Sequence, residues 1–502
     1  MSSGGWFQPF ISPVGILVLA LIVTRLCWIR KPANVAPWAK SRHYLLGHLL
    51  AYIPDPVKFL GEQRRLVGDV IRVDLLIMKV TFLIGADWNR WVLAESDESD
   101  VSLYYAVSFF SCGLLARGFQ TSGWIYHTLK SIRVGSNGPK RIEEITREFT
   151  TTARERFFPE WADQSKIPLF ASCFSIFFDS NVTTFFGRRF VDAHGSELKC
   201  IFTTMKPALM NPLSRMVPWW ASPSGRALKK GSRRMKGIIE AEVVERLRDL
   251  DACREGKDYL SSLIIANQTE GYVEDYTEHF STFIIIAQVN IDATCAWALL
   301  HLLRNPEHLM AFEDEVKANP PVDGIYPIEN MPFGEACLRE TGRLYNNSVM
   351  LRYAQHDIQT PSGLILPKGW IATSPVTVQM DPDLYYKPGK WNPRRFLPST
   401  AGEDLHASRF RNYEFVQFGA GKNVCSGIKL THSLLRTSFW PALLDNYQLE
   451  VVPNSIVEGE GTDGVGIMPN HAENLGTAFG VTEPYVKVTK REVPLSSMVH
   501  VE

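Results

Sequence analysis

Phe418-Gly419-Ala420-Gly421-Lys422-Asn423-Val424-Cys425-Ser426-Gly427 leads straight into a stretch, Ile428 to about Phe439, that reads as a helix stopping before Pro441. Cys425 therefore sits where a helix begins. The small residues at 419, 420, 421 and 427 let backbone approach a bulky group and aim amide N–H groups at a sulfur, and the helix N-terminus favours the thiolate form. A thiolate held in this way is a good iron ligand.

Upstream, Glu274 to Arg304 is long, mostly apolar and free of Gly and Pro, so as a helix it must be buried around much of its circumference and run through the centre of the protein. Asn305-Pro306 ends it, and further helices are expected through Lys317 and over Met331–Leu344. Ile71–Leu75 and Val80–Ile84 read as a hairpin, with short strands around Met350–Ala354 and Leu364–Thr373. The expected fold is mostly α, an α+β pattern with a long central helix and small sheets.

The 502 residues are 45% hydrophobic and 21% charged, enough to bury a large core. Lys and Arg number 53, as do Asp and Glu, which removes the positive field expected of a nucleic-acid-binding protein. Eight scattered cysteines without Cys-x-x-Cys suggest neither a zinc ribbon nor a disulfide framework, and point to a reducing compartment.

From Trp6 to Ile29 the one charge is Arg25, and a helix of that length reaches about 36 Å, against a hydrocarbon core of roughly 30 Å. Basic residues follow this run rather than precede it, so the rest of the chain should stay cytosolic. The expected organisation is a transmembrane anchor over 1–31, a Pro-containing hinge over 32–42 and one compact unit over 43–502. Trp219-Trp220 followed by Arg226, Lys229, Lys230, Arg233, Arg234 and Lys236 reads either as a second contact with a lipid surface or as a solvated basic helix.

The cysteine stretch resembles the ligand loop of the cytochrome P450 family, Phe-x-x-Gly-x-Arg/His-x-Cys-x-Gly, with Phe418, Gly421, Cys425 and Gly427 in place and Asn423 where a basic residue is usual. Glu340-Thr-Gly-Arg343 is similar to that family's Glu-x-x-Arg helix, and Trp391-Asn-Pro-Arg-Arg395-Phe396 to the downstream motif whose Arg395 completes a buried charge cluster. The resemblance covers nearly the whole chain. It implies haem b ligated by Cys425, the helical fold of that family, a catalytic unit on the cytosolic side of the endoplasmic reticulum membrane with a single-pass anchor, and electrons from NADPH through NADPH-cytochrome P450 reductase. Where the family often has Trp-x-x-x-Arg this chain has Trp124-Ile-Tyr-His127-Thr128, and His127 could replace the missing haem contact.

On the central helix the family's threonine helps deliver protons to dioxygen. The corresponding run here is Ile286-Ala287-Gln288-Val289-Asn290-Ile291-Asp292, with Asn290 as the candidate catalytic amide; a shifted register would put Ile291 at the threonine. Gln288-x-Asn290 with Trp297, and Gly476–Pro484, resemble the branch that holds the sterol 7α/12α-hydroxylases and prostacyclin synthase. The resemblance also implies a substrate pocket of Ile286, Val289, Ser348, Val349, Thr477, Ala478 and Phe479, apolar enough for a hydrophobic ligand. The expected function is a monooxygenase oxidising a terpenoid or sterol-like substrate. The alternative is a haem-thiolate isomerase or dehydratase of an oxygenated lipid that needs no reductase. An amide both donates and accepts, so Asn290 suits either.

Overall fold

The computed structural model describes residues 34–106 apart from 41, 44, 77, 104 and 105, then 138–210, 220, 222–266, 273–346, 348–360, 362–398, 409–457, 465, 467–470 and 477–498. The expected anchor, residues 32 and 33 of the hinge, His127 and Trp219 lie outside them. Residues 34–40 of the expected hinge run along the body: Ala39 N–H donates to Arg72 O at 2.9 Å and Arg72 N–H to Pro37 O at 2.7 Å.

Helix α1, Pro56–Val67, begins at Asp55, whose side chain accepts from Lys58 N–H, and stops at Gly68 with φ at 113°. Strands β1, Val70–Leu75, and β2, Met78–Leu83, form the expected hairpin, with Val70 opposite Leu83 and Leu75 opposite Met78. Strand β3 is Val101–Ser102. Helix α2, Pro139–Thr152, and strand β4, Ile167–Pro168, lead into α3, Leu169–Phe186, α4, Arg188–Met210, and α5, Pro223–Arg248. Helix α6, Val273–Arg304, is the expected central helix, with Glu274 and Asp275 in its first turn and His301 and Arg304 in its last. Asn305 closes it by donating from its side chain to His301 O at 2.8 Å.

Helices α7, Pro306–Ala318, and α8, Pro332–Tyr345, follow. Glu315 of α7 accepts from the N–H groups of Phe333 and Gly334, so one helix caps the next. Strands β5, Met350–Ala354, and β6, Gly369–Thr373, join a five-stranded sheet in the order β1-β2-β6-β5-β3.

The stretch Leu364–Thr373 is divided at Pro367-Lys-Gly369, residues whose types mark a turn in the sequence. Ile365–Leu366 pairs with Ile358–Gln359, and only β6 joins the larger sheet. Pro367 cannot donate to a ladder and Gly369 turns the chain at φ 134°.

The helix after Cys425 also runs further than its sequence suggests. Ile428–Leu434 forms helix α9, a wide turn occupies Leu435–Phe439, and α10, Trp440–Asn446, carries on through Pro441. Pro441 has no N–H for the carbonyl four residues back, but Thr437 O is satisfied by Tyr326 N–H at 2.9 Å. Strands β7, Tyr447–Val451, and β8, Tyr485–Lys490, complete a second sheet in the order β4-β8-β7.

The main core gathers around α6, whose residues from Ile291 to Leu302 are buried without a break. Both α3 and α6 are long and apolar enough to cross a membrane, yet 72% and 78% of their apolar windows are buried inside the protein, as core helices are. The described cysteines, Cys173, Cys200, Cys253, Cys295, Cys337 and Cys425, are all free.

Candidate functional site

The loop before α9 is fixed by backbone. Gly419 N–H donates to Val416 O and Cys425 N–H to Phe418 O at 2.8 Å, while Gly419 and Gly421 take φ values of 73° and 64°. A Cβ at Gly421 would collide with the backbone of Leu93 and Ala94, so this glycine serves the docking of the loop on the turn Trp91–Glu95. At Gly427 a Cβ would meet only ordinary contact, and what this residue supplies is its N–H. The N–H groups of Gly427 and Ile428 point at the Cys425 sulfur and lower its pKa, against a larger upward push from burial in apolar surroundings. The residue still keeps an open side.

Behind this loop lies the charge cluster. Glu340 and Arg343 are fully buried on one face of α8, joined by two hydrogen bonds, Nε to Oε2 at 2.8 Å and Nη2 to Oε1 at 2.9 Å. Arg395 Nε and Asn392 N–H each donate to Glu340 Oε1 at 2.9 Å. Arg343 is further satisfied by Gln379 O at 2.8 Å and Pro388 O at 2.7 Å. Gln379 returns a bond to Arg343 O and accepts from Val416 N–H, two residues before Phe418. Gly342, between the two charges, is bare for a reason that spacing does not reveal: any Cβ there would strike the Gln417 side chain.

On α6, most residues between Ser281 and Asn290 are buried, while Phe283, Ile286, Ala287 and Asn290 are more accessible and share a face; Ile286 is 53% exposed. Asn290 accepts from Thr477 N–H at 2.9 Å and from Thr477 Oγ1 at 3.4 Å. Thr477 bridges to Asn346, whose side chain donates to Gln417 O at 2.5 Å, so a polar path runs from Asn290 to the residue before Phe418. Ser348 N–H bonds back to Asn346 Oδ1 at 3.1 Å.

Of the other expected pocket residues, Val289 and Ala478 are packed in the core, and Ala478 O accepts from Trp297 Nε1 at 2.7 Å. Val349 packs against the cluster of the first hairpin. Phe479 carries the Lys206 ammonium 3.3 Å from its ring centre. Ile291 is buried in the main core.

Two charged residues here carry no sequence signal. Asp292 is fully buried, and neither carboxylate oxygen has a hydrogen-bond partner among the described residues. Burial pushes its carboxyl up to about 6, opposed by the nearby Lys206 ammonium. Arg352 on β5 is buried; its Nη1 donates to Leu351 O at 2.9 Å, and burial lowers its pKa to about 10. Ala354 of the same strand shares an apolar cluster with Val416 and Ala420 of the cysteine loop.

The donor set fits a haem. An open sulfur lies under two converging N–H groups, and a buried guanidinium without an ion pair among the described residues could take a propionate, a role that sequence reading sought at His127 and position 423. Asn423 is itself exposed.

A family model described as Cytochrome P450 matches residues 37–473. The cytochrome P450 monooxygenase pyvB of Aspergillus violaceofuscus is 26% identical over 430 residues, 84% of this chain and 85% of its own. Sterol 14-demethylase of Arabidopsis thaliana is 24% identical over 464 residues, 87% and 91% of the two chains. Among solved structures, retinoic acid-bound cyanobacterial CYP120A1 matches with a TM-score of 0.71 at 16% identity, covering 92% of this chain and 100% of that one, a likeness of fold.

Proposed function

The chain belongs to the cytochrome P450 family and is a haem-thiolate monooxygenase, and on that premise we propose that it is anchored in the endoplasmic reticulum membrane and oxidises a terpenoid or sterol-like substrate with electrons from NADPH-cytochrome P450 reductase. The observation that carries this reading is the Cys425 loop, an accessible sulfur with two N–H groups aimed at it, backed by the satisfied Glu340–Arg343–Arg395 cluster. Haem b bound there would supply dioxygen activation, with the thiolate promoting O–O cleavage. Phe418, Gly421 and Gly427 shape the loop, and the polypeptide's task at the opposite face is to orient substrate and hold protons.

Asn290 is the group we assign to that task. It lies on the accessible stripe of α6, whereas Ile291 is sealed in the core, which favours the register with the amide at the threonine place. Ile286, Ser348, Thr477 and Phe479 offer largely apolar surroundings suited to a lipophilic ligand. The names of the relatives, two fungal monooxygenases and several sterol 14-demethylases among them, support oxidation of such molecules. Membrane anchoring is supported by the apolar run from Trp6 to Ile29, and a second contact by exposed Trp220 beside the exposed basic face of α5, although Arg234 and Lys236 are engaged by Glu197 and Glu278.

The full-length enzyme, reconstituted in vesicles with the reductase and a lipid extract, should form product only with both NADPH and oxygen. Rapid product formation under anaerobic, reductase-free conditions would overturn the monooxygenase reading in favour of a haem-thiolate isomerase or dehydratase.

A further inference from the structure

Thr477 settles which end of the Asn290 amide is free. A backbone N–H can only donate, so the Asn290 atom 2.9 Å from Thr477 N must be the carbonyl oxygen. This removes the usual ambiguity between the oxygen and nitrogen of a side-chain amide. The hydroxyls then order themselves. Thr477 Oγ1, 3.4 Å from the same oxygen, donates to it, and so accepts from Thr294 Oγ1 at 3.2 Å, one helical turn beyond Asn290.

The carbonyl is thus taken up by two donors. Asn290 Nδ2 has no hydrogen bond to any described residue and is not among the buried unsatisfied atoms, so its two N–H groups lie on the accessible side of α6 that Phe283, Ile286 and Ala287 share. The neighbours are apolar, and a donor among apolar groups is matched only by an oxygen lone pair brought to it.

We infer that Asn290 presents its amide NH2, and not its carbonyl, to the ligand side, that Thr477 is the positioning residue that holds it so, and that the site favours a lipophilic substrate carrying a carbonyl, ether or hydroxyl oxygen near the carbon to be oxidised. This rests on the reading that Asn290 faces the haem. It goes beyond that reading by fixing the polarity of the contact: the enzyme supplies the donor and the ligand the acceptor. Thr294 supports Thr477 from the same helix and completes the chain of donors that ends on the Asn290 carbonyl.

The test uses carbon monoxide as the probe in the full-length, haem-loaded, ferrous enzyme, read by its infrared stretching band. A donor beside the CO oxygen draws electron density into it and lowers the frequency; a carbonyl lone pair raises it. Asn290→Leu should therefore shift the band upward, and Asn290→Ala serves where leucine crowds the site. Thr477→Val keeps the N–H that sets the orientation but loses the hydroxyl, and should broaden the band as the amide, held by one donor instead of two, becomes less confined, with Thr477→Ser restoring the narrow band. A downward shift in Asn290→Leu would overturn the inference while leaving Asn290 at the haem. No shift in either Asn290 variant would overturn the placement of Asn290 itself. A Thr477→Val band identical to that of the wild type would remove the Thr477 hydroxyl from the positioning role.

Discussion

Glu340 and Asp292 are both fully buried carboxylates, and the fold treats them in opposite ways. Glu340 meets two guanidinium groups and a backbone N–H within 2.9 Å, on a helix whose neighbouring glycine is shaped to admit Gln417. Asp292 has no well-formed hydrogen bond among the described residues, and the Lys206 ammonium, the Gln288 side chain and nearby backbone N–H groups only partly offset its burial. A buried charge is tolerated when it is paired and bonded, and otherwise gives up its charge. The first arrangement is scaffolding for the cysteine loop. The second leaves within the central helix, two residues from Asn290, a carboxyl that burial keeps protonated up to about pH 6.

The largest effect should come from breaking the satisfied cluster. Glu340→Ala would strand Arg343 and part of Arg395 in the core, at a cost of about 3–5 kcal/mol, a large part of a typical domain's stability. Thermal unfolding and haem content after purification would check this. A variant that keeps its haem and loses less than about 1 kcal/mol would mean that the cluster is not the scaffold described.

The opposite behaviour is expected at Asp292. Its folded pKa of about 6 lies above the ordinary 3.8, so its contribution to stability is complete below 3.8, declines as pH rises to about 6 and is level above that. The rise of about 2 pKa units corresponds to about 3 kcal/mol lost at neutral pH. Asp292→Asn should abolish that decline and stabilise the protein at pH 7.5 relative to pH 4. Denaturant titrations at the two pH values decide it; a pH dependence unchanged by the substitution would contradict the account of this carboxylate.

The same contrast explains what the sequence discloses. Glu340, Arg343, Arg395 and Cys425 are legible because their order and spacing report a network that needs those residues at those places, and the structure brings the three charges together. The long run from Glu274 to Arg304 is legible because burial all round leaves no polar period. Gly342 is not, since its bareness answers to Gln417, far along the chain, and no local pattern records that contact. Nor is the passage of the helix through Pro441, which depends on Tyr326 meeting a carbonyl that the proline cannot. Asp292 reads in the sequence like any acidic residue on a helix; only the placement of α6 inside the main core makes it a buried acid. Thr477 and Thr294 look like ordinary hydroxyls until the tertiary fold places Thr477 on the Asn290 carbonyl and Thr294 behind Thr477.

The central claim is that Cys425 donates its sulfur to haem iron. In the ferrous CO complex the Soret band should show the strong red shift of thiolate ligation, and Cys425→His should keep haem and lose that shift. A thiolate-type spectrum that survives the substitution would contradict the account.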